Sequence, residues 1–271
     1  LGIDVGGTKT LVAALDDNGV IIEKNKFPTP QNYSNFINEL SQVIDSLDSK
    51  KFIAAGVGIP ASIIDRKHGI GIAFGNLPWR DAPIRSDVAK LLGIPVVVEN
   101  DAKLAALSEY MLIKDKYKKV LYLTISTGIG FGLVVEGVID SSIGDGGGAT
   151  MFVEYDGKEV PWESFASGRA IAQRFGKQAS EIHDTKTWQI IARDLAIGLI
   201  DLVAIIQPEV IVLGGGVGAH SRELIKPLEA ALKVYENPLL EIPPIQQAGR
   251  AELAVAYGCY DLAKACHEPI N

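Results

Sequence analysis

Residues 1–22 read LGIDVGGTKTLVAALDDNGVII, three apolar runs separated by two turns. The run Leu1-Gly2-Ile3-Asp4-Val5 meets Gly6-Gly7-Thr8-Lys9, and Asp16-Asp17-Asn18-Gly19 separates Leu11-Val12-Ala13-Ala14-Leu15 from Val20-Ile21-Ile22. Apolar runs on either side of Asn-Gly are a hairpin signal, so the Gly6-Gly7-Thr8 turn joins two strands. A Walker loop is excluded, because it needs a longer glycine-rich loop that ends in Lys-Ser/Thr and enters a helix. Adjacent glycines let backbone N–H groups approach an anion, and Thr8 and Lys9 add donors. The same residues serve equally as an ordinary glycine hairpin. Asp4 at the strand end suits a hydrated Mg²⁺, which takes one or two carboxylates and keeps several waters. Residues 120–135, VLYLTISTGIGFGLVV, repeat the pattern of strand, Gly- and Thr-rich turn, strand, with Thr127 and Gly128 in the turn. That echo implies a duplicated fold with a phosphate-sized turn in each half and a cleft between two lobes.

Between the echoes, residues 35–47 match an amphipathic helix and residues 52–58 a buried strand. A loop-rich stretch then leads to Asn76-Leu77-Pro78-Trp79-Arg80-Asp81, where Asn76 is either a turn residue beside an anchoring aromatic or an amide offered to a sugar hydroxyl. A helix is expected over 81–92. Residues 95–107, PVVVENDAKLAAL, carry a buried β-branched strand into a helical pattern, with Asn100 and Asp101 on the junction. Either could cap that helix. A carboxylate at the carboxyl end of a parallel strand also lies where open α/β sheets bind ligands, and Asp101 could accept a proton from a hydroxyl there.

The charged patch at 114–119 marks a lobe boundary. Residues 144–150 form a flexible glycine loop, and Glu163 stands in the first turn of the next helix, where the helix dipole favours a carboxylate. A long apolar helix at 188–206 feeds a buried strand ending in Gly214-Gly215-Gly216, glycines that allow close approach of a nucleotide. A Rossmann reading fails, since this turn follows a late strand and no opening βαβ unit precedes it. An apolar helix at 251–264 closes the chain. With 271 residues, 47% hydrophobic, the chain can bury the cores of two lobes. Its formal charge of −7 and lack of a basic run exclude a nucleic-acid surface. The apolar stretch 196–217 contains Asp201, Gln207, Pro208 and Glu209, so no membrane span is expected. Cys259 and Cys266 lie two helical turns apart, no bridge is expected, no signal peptide is seen, and a reducing cytoplasm fits.

Taken in order, the segments DVGGTKT (4–10), GIPAS (58–62), NLPWRD (76–81), ENDAK (99–103), STGIGFG (126–132), ESFASG (163–168) and VIVLGGGVG (210–218) resemble the ROK family of sugar kinases, within the sugar kinase, Hsp70 and actin superfamily. The resemblance runs nearly end to end. It implies an α/β, two-lobed actin-like ATPase (ribonuclease H-like) fold with a duplicated strand–turn–strand core. One lobe would take residues 1–113 and the closing segment 251–271, the other residues 114–250. It further implies ATP-dependent phosphorylation of a hexose or hexosamine hydroxyl, with Asp101 as general base and Asn76, Asn100, Asp101 and Glu163 on the sugar. Asp4, Gly6, Gly7, Thr8, Lys9, Thr127, Gly128, Gly214, Gly215 and Gly216 would face phosphates and nucleotide, with Mg²⁺ near Asp4. A cytoplasmic homodimer is expected, with a small-molecule sugar and ATP as ligands and neither nucleic acid nor membrane as partner.

Two departures stand out. Where the family has a Gly-Glu-x-Gly-His stretch, this chain has Gly146-Gly147-Gly148-Ala149-Thr150, and residues 153–161 hold no Cys or His, so no zinc site is expected. Ordinary glucose recognition is thereby put in question. Family repressors carry an added DNA-binding helix-turn-helix domain before the kinase-like core, and none is expected here. The alternatives kept are a sugar-binding protein without efficient turnover and a polyphosphate-dependent glucokinase.

Overall fold

The computed structural model describes residues 1–49 and 51–267. They form two compact units, Leu1–Ser108 with the segment from Glu252 onward, and Glu109–Ala251.

The first unit opens with β1 (Gly2–Val5), β2 (Lys9–Leu15) and β3 (Ile21–Pro28), an antiparallel meander. Its second turn closes because Gly19 takes φ +76° and the Asp16 carboxylate accepts the N–H groups of Asn18 and Val20 at 2.9 and 2.8 Å. Helix α1 (Tyr33–Ser46) begins two residues earlier than its apolar periodicity suggests, because the Asn32 side chain caps it by accepting from Asn35 N. It buries Phe36, Leu40 and Val43. Strand β4 (Ala55–Ile59) starts three residues later than expected and is buried along its whole length.

The loop-rich reading of the next stretch is corrected by a three-stranded antiparallel sheet of β5 (Ala61–Asp65), β6 (Ile70–Phe74) and β7 (Arg80–Ala82). These strands are short and interrupted by bulges, and Gly71 and Gly75 hide their alternation. Asp81 belongs to β7 rather than to a helix. Proline disfavours helical backbone in the residue before it, so α2 (Ile84–Leu92) starts only after Pro83. Strand β8 (Val96–Asn100) then leads directly into α3 (Asp101–Ile113). The five-stranded sheet has the order β3-β2-β1-β4-β8, with β1, β4 and β8 parallel.

The C-terminal helix, Ala254–His267, packs on this sheet at very short range. A Cβ on Gly2 would sit 2.7 Å from the Ala256 carbonyl oxygen, one on Gly56 would overlap the Cys259 backbone, and one on Gly258 would overlap the Leu104 carbonyl. The same contact buries Cys259 completely, and burial pushes its thiol up to about 12; Cys266, further along, is exposed.

In the second unit, β9 (Lys119–Ile125), β10 (Ile129–Val135) and β11 (Val138–Ile139) again form an antiparallel meander. The hairpin β12 (Phe152–Tyr155) and β13 (Lys158–Pro161) follows, then α4 (Glu163–Ala166), α5 (Gly168–Phe175) and the 22-residue α6 (Thr185–Ile206), capped by Asp184. Strand β14 (Val210–Gly214), α7 (Gly215–Gly218), α8 (Ser221–Lys233) and β15 (Ile245–Gln247) complete a sheet of order β11-β10-β9-β14-β15. Here too the hairpins are antiparallel and β9, β14 and β15 parallel. The two sheets thus repeat one design, as the echoed sequence predicts. Trp162 and Trp188 anchor the second core, each with its indole N–H bonded to a carbonyl. No helix among the described residues is long and apolar enough to cross a membrane.

Gly258→Ala provides a test of the close helix contact. An exposed helical glycine replaced by alanine gains up to about 1 kcal/mol, whereas overpacking costs about 1–3 kcal/mol. Because the obstructing atom is backbone, the clash should win, and the urea midpoint of the variant should fall.

Candidate active site

Parallel β4 and β8 end side by side, with Ile59 opposite Asn100. Asn100 is buried, and its amide is used twice: Nδ2 donates to the Ala61 carbonyl at 3.2 Å, and Oδ1 accepts from Lys103 N at 3.2 Å. The second bond settles the choice left open by the sequence, since Asn100 caps α3 and Asp101 is its first residue. Preceding it, Glu99 accepts a bidentate pair from Arg66 at 2.6 and 2.8 Å and also the Asn100 backbone N–H at 2.7 Å. The Asp101 Oδ1 accepts from Ala102 N at 2.7 Å.

Asp4 on β1 feels Asp101. Burial, and next the negative charge of Asp101, raise the Asp4 carboxyl to about 7, against the opposing pull of Lys26. The turn that follows is held from below: Gly6 N donates to Lys9 O at 3.0 Å, the Thr29 hydroxyl to Gly6 O at 2.8 Å, and Thr29 N to Thr8 O at 2.9 Å. Thr8 and Lys9 point their exposed side chains outward. Gly7 lies against Asn76, where a Cβ would come 2.8 Å from the Asn76 Cβ. Asn76 itself is exposed, its loop anchored by buried Leu77 and Trp79, the latter bonding Gln31 O at 3.0 Å. The first unit therefore places Asp4, Asn100 and Asp101 at the ends of parallel β1 and β8, and Gly7, in the turn after β1, against Asn76.

In the second unit Glu163 does more than sit on a helix dipole. Its Oε2 accepts from Ile129 N at 3.2 Å, beside the turn that carries Thr127 and Gly128. A Cβ on Gly128 would stand 2.6 Å from that oxygen. The expected flexible loop contains a 3₁₀ turn, Gly147–Ala149, with Gly147 and Gly148 buried. Gly147 has φ +54° and its Cα faces the Ile129 carbonyl, so only glycine fits, while the Thr150 hydroxyl donates to Gly147 O at 3.2 Å. Of the triple glycine, Gly214 packs on Tyr122 and Gly215 on Ile125, whereas Gly216 has open space around it. Gly216 and Thr127 line a cavity of about 810 Å³ together with Ser126, Gly168, Arg169, Gln178, Ser180, Val217 and His220. Gly128, Gly214 and Gly215 are not among its lining residues. No cluster of three or more potential metal ligands occurs among the described residues.

Thr29, Arg66, Arg169 and His220 escaped the sequence reading. Thr29 and Arg66 act through partners far along the chain, Arg169 and His220 line the cavity, and none stands in a motif.

Two sheets of identical strand order, each with a glycine turn between its first two strands and parallel strands beside them, define an actin-like ATPase fold. The chain belongs to the ROK family, whose model matches residues 1–266. A glucokinase from Streptomyces coelicolor is 26% identical over 97% of this chain and 97% of its own. The N-acetylgalactosamine kinase AgaK of a Shewanella species is 28% identical over 91% of each. The crystal structure of a ROK family glucokinase from Streptomyces griseus in complex with glucose and AMPPNP superposes with a TM-score of 0.82 at 23% identity, covering 97% of this chain and 98% of that one.

The raised Asp4 carboxyl fixes the sign of a pH effect. A carboxyl that holds its proton more tightly when folded stabilises the fold fully below its unfolded value of 3.8, and that contribution is lost as pH rises towards about 7. In metal-free buffer, stability should therefore decline between about pH 4 and 7, on the order of 4 kcal/mol at most. Asp4→Asn should flatten that part of the curve, as read from urea midpoints across the range.

Proposed function

We propose that this protein transfers the γ-phosphoryl group of ATP to a hydroxyl of a hexose or hexosamine, with Asp101 as general base. As a ROK family member it is a sugar kinase by class, like its relatives named glucokinase and N-acetylgalactosamine kinase. The observation that carries the finer reading is the placement of Asp101 at a strand-to-helix junction, with its charge felt by Asp4 at the end of β1. A carboxylate there has the chemistry to take the proton from an attacking hydroxyl as the oxygen bonds to phosphorus. Asn76, Asn100 and Glu163 are assigned to sugar hydroxyls. Asn100 keeps one N–H and one acceptor lone pair beyond the two bonds that fix it.

The turns Gly6-Gly7-Thr8-Lys9 and Thr127-Gly128, with Gly214-Gly215-Gly216, are assigned to the phosphates and nucleoside. Of these, Thr127 and Gly216 face the cavity directly, and Gly214 and Gly215 shape the turn from within. Asp4 offers the hard oxygen donors that Mg²⁺ takes singly or in pairs, and a half-buried carboxylate beside another carboxylate is a setting that a cation relieves. Bound there, Mg²⁺ would neutralise charge on the phosphates. The protein should hold no zinc: residues 153–161 fall in a hairpin without Cys or His, and elemental analysis of the purified chain should find far less than one zinc per molecule. The reducing interior of a cell supplies ATP and is the proposed location.

ATP consumption measured against a panel of hexoses, amino sugars and N-acylated sugars tests the activity and identifies the acceptor. With that acceptor, Asp101→Asn should lower kcat by roughly two to four orders of magnitude while ATP and sugar still bind. A rate equal to the parent's would remove Asp101 from the role of base.

A further inference from the structure

The cavity of the second unit mixes two chemistries. Gly216 and Arg169, the latter exposed at the start of α5, line it with Thr127. Small apolar Ala172, Ala179 and Val217 line it as well, and so does His220. That ring is half-buried and lies 6.2 Å from the Trp188 indole, tilted 38° to it. Trp188 is itself buried and locked by its hydrogen bond to Ile182 O at 3.0 Å. Only backbone groups of His220 hydrogen-bond among the described residues: its N–H donates to Val217 O, and its carbonyl accepts from Glu223 and Leu224. His220 therefore brings to the cavity an aromatic ring beside a fixed indole, with ring nitrogens that carry no hydrogen bond among the described residues.

We infer that His220 is the specificity-determining residue for the nucleotide base, stacking on a purine and reading it in preference to a smaller pyrimidine. The inference rests on the reading of this cavity as the nucleotide site. The physical warrant is that a planar base gains from stacking on a flat aromatic partner, and the larger ring system of a purine buries more area in doing so. Arg169 and the glycine turn address charge common to every nucleotide. Among the described residues that line the cavity, His220 is the one aromatic side chain on which a base can stack.

The test uses the full chain as parent, His220→Ala and His220→Phe, with calorimetric titrations of ATP, CTP and inorganic tripolyphosphate. Stacking of a base on an aromatic side chain corresponds to roughly a 5- to 150-fold change in affinity. His220→Ala should weaken ATP by a factor in that range, narrow the preference for ATP over CTP, and leave tripolyphosphate binding as in the parent. His220→Phe should restore ATP affinity, since it returns a flat ring without the nitrogens. In turnover, the loss should fall on KM for ATP and not on KM for the sugar. Unchanged ATP affinity in His220→Ala, failure of the phenylalanine to restore it, or an equal loss of tripolyphosphate binding would each overturn the inference. A parent that binds no ATP would overturn this inference and the ATP-donor reading together. A parent that binds ATP but phosphorylates no sugar would overturn only the proposed reaction, with the three titrations still deciding the role of His220.

Discussion

The absence of a side chain at Gly58 is the constraint on which the first unit depends. In the parallel register Gly58 lies between Asp4 on one side and Glu99 on the other. A Cβ there would overlap the Val255 side chain, press on Leu104 and come within 3.8 Å of the Asp101 Cα. That empty volume admits the C-terminal helix to the sheet and brings the start of α3 close to the end of β1. Asp4 and Asp101 then share a neighbourhood that a larger residue would divide. Two carboxylates so placed repel each other, and the fold tolerates the arrangement because the backbone around them is fixed by bonds that do not depend on their charge.

That fixing is distributed. Arg66 holds Glu99, Glu99 holds the Asn100 N–H, and the Asn100 amide holds both Ala61 and the first turn of α3. Thr29 does the corresponding work beneath the glycine turn, with its hydroxyl also 2.9 Å from that of Thr10. Glu99, Asn100 and Thr29 each make at least one of these bonds to backbone, and the side-chain pairs Arg66–Glu99 and Thr10–Thr29 add to them. In the second unit Glu163 plays a comparable part, tying the start of α4 to Ile129.

Much of this architecture was legible because glycine, proline and asparagine punctuate the chain strongly. The turns at Gly6-Gly7 and Thr127-Gly128 announced a repeated strand–turn–strand unit, and the repetition extends to whole sheets. The sheet at 61–82 was not legible: its strands run three to five residues, with bulges and glycines that break the two-residue period on which a strand reading relies. Helix starts at Tyr33 and Thr185 were hidden because a cap, rather than an apolar residue, decides them. Among the candidate site residues, Asp101, Asn100 and Asn76 declared themselves by their place in motifs. Arg66, Thr29 and His220 did not, since their importance lies in contacts made across 23 to 33 residues, or in the cavity they face. The triple glycine looks in sequence like a single ligand-facing unit, yet two of its members are glycine for the sake of Tyr122 and Ile125.

The tight seating of the C-terminal helix also divides the two thiols of the chain by reactivity. Alkylating and oxidising reagents attack the thiolate, and a fully buried thiol raised to about 12 supplies almost none at neutral pH. Cys266 is exposed on the same helix, two turns further on. A maleimide dye or spin label should therefore attach at one position without any engineering of the chain. The label would report from the helix whose close approach Gly56 and Gly258 permit, and slow uptake of a second label at Cys259 would time the opening of that contact.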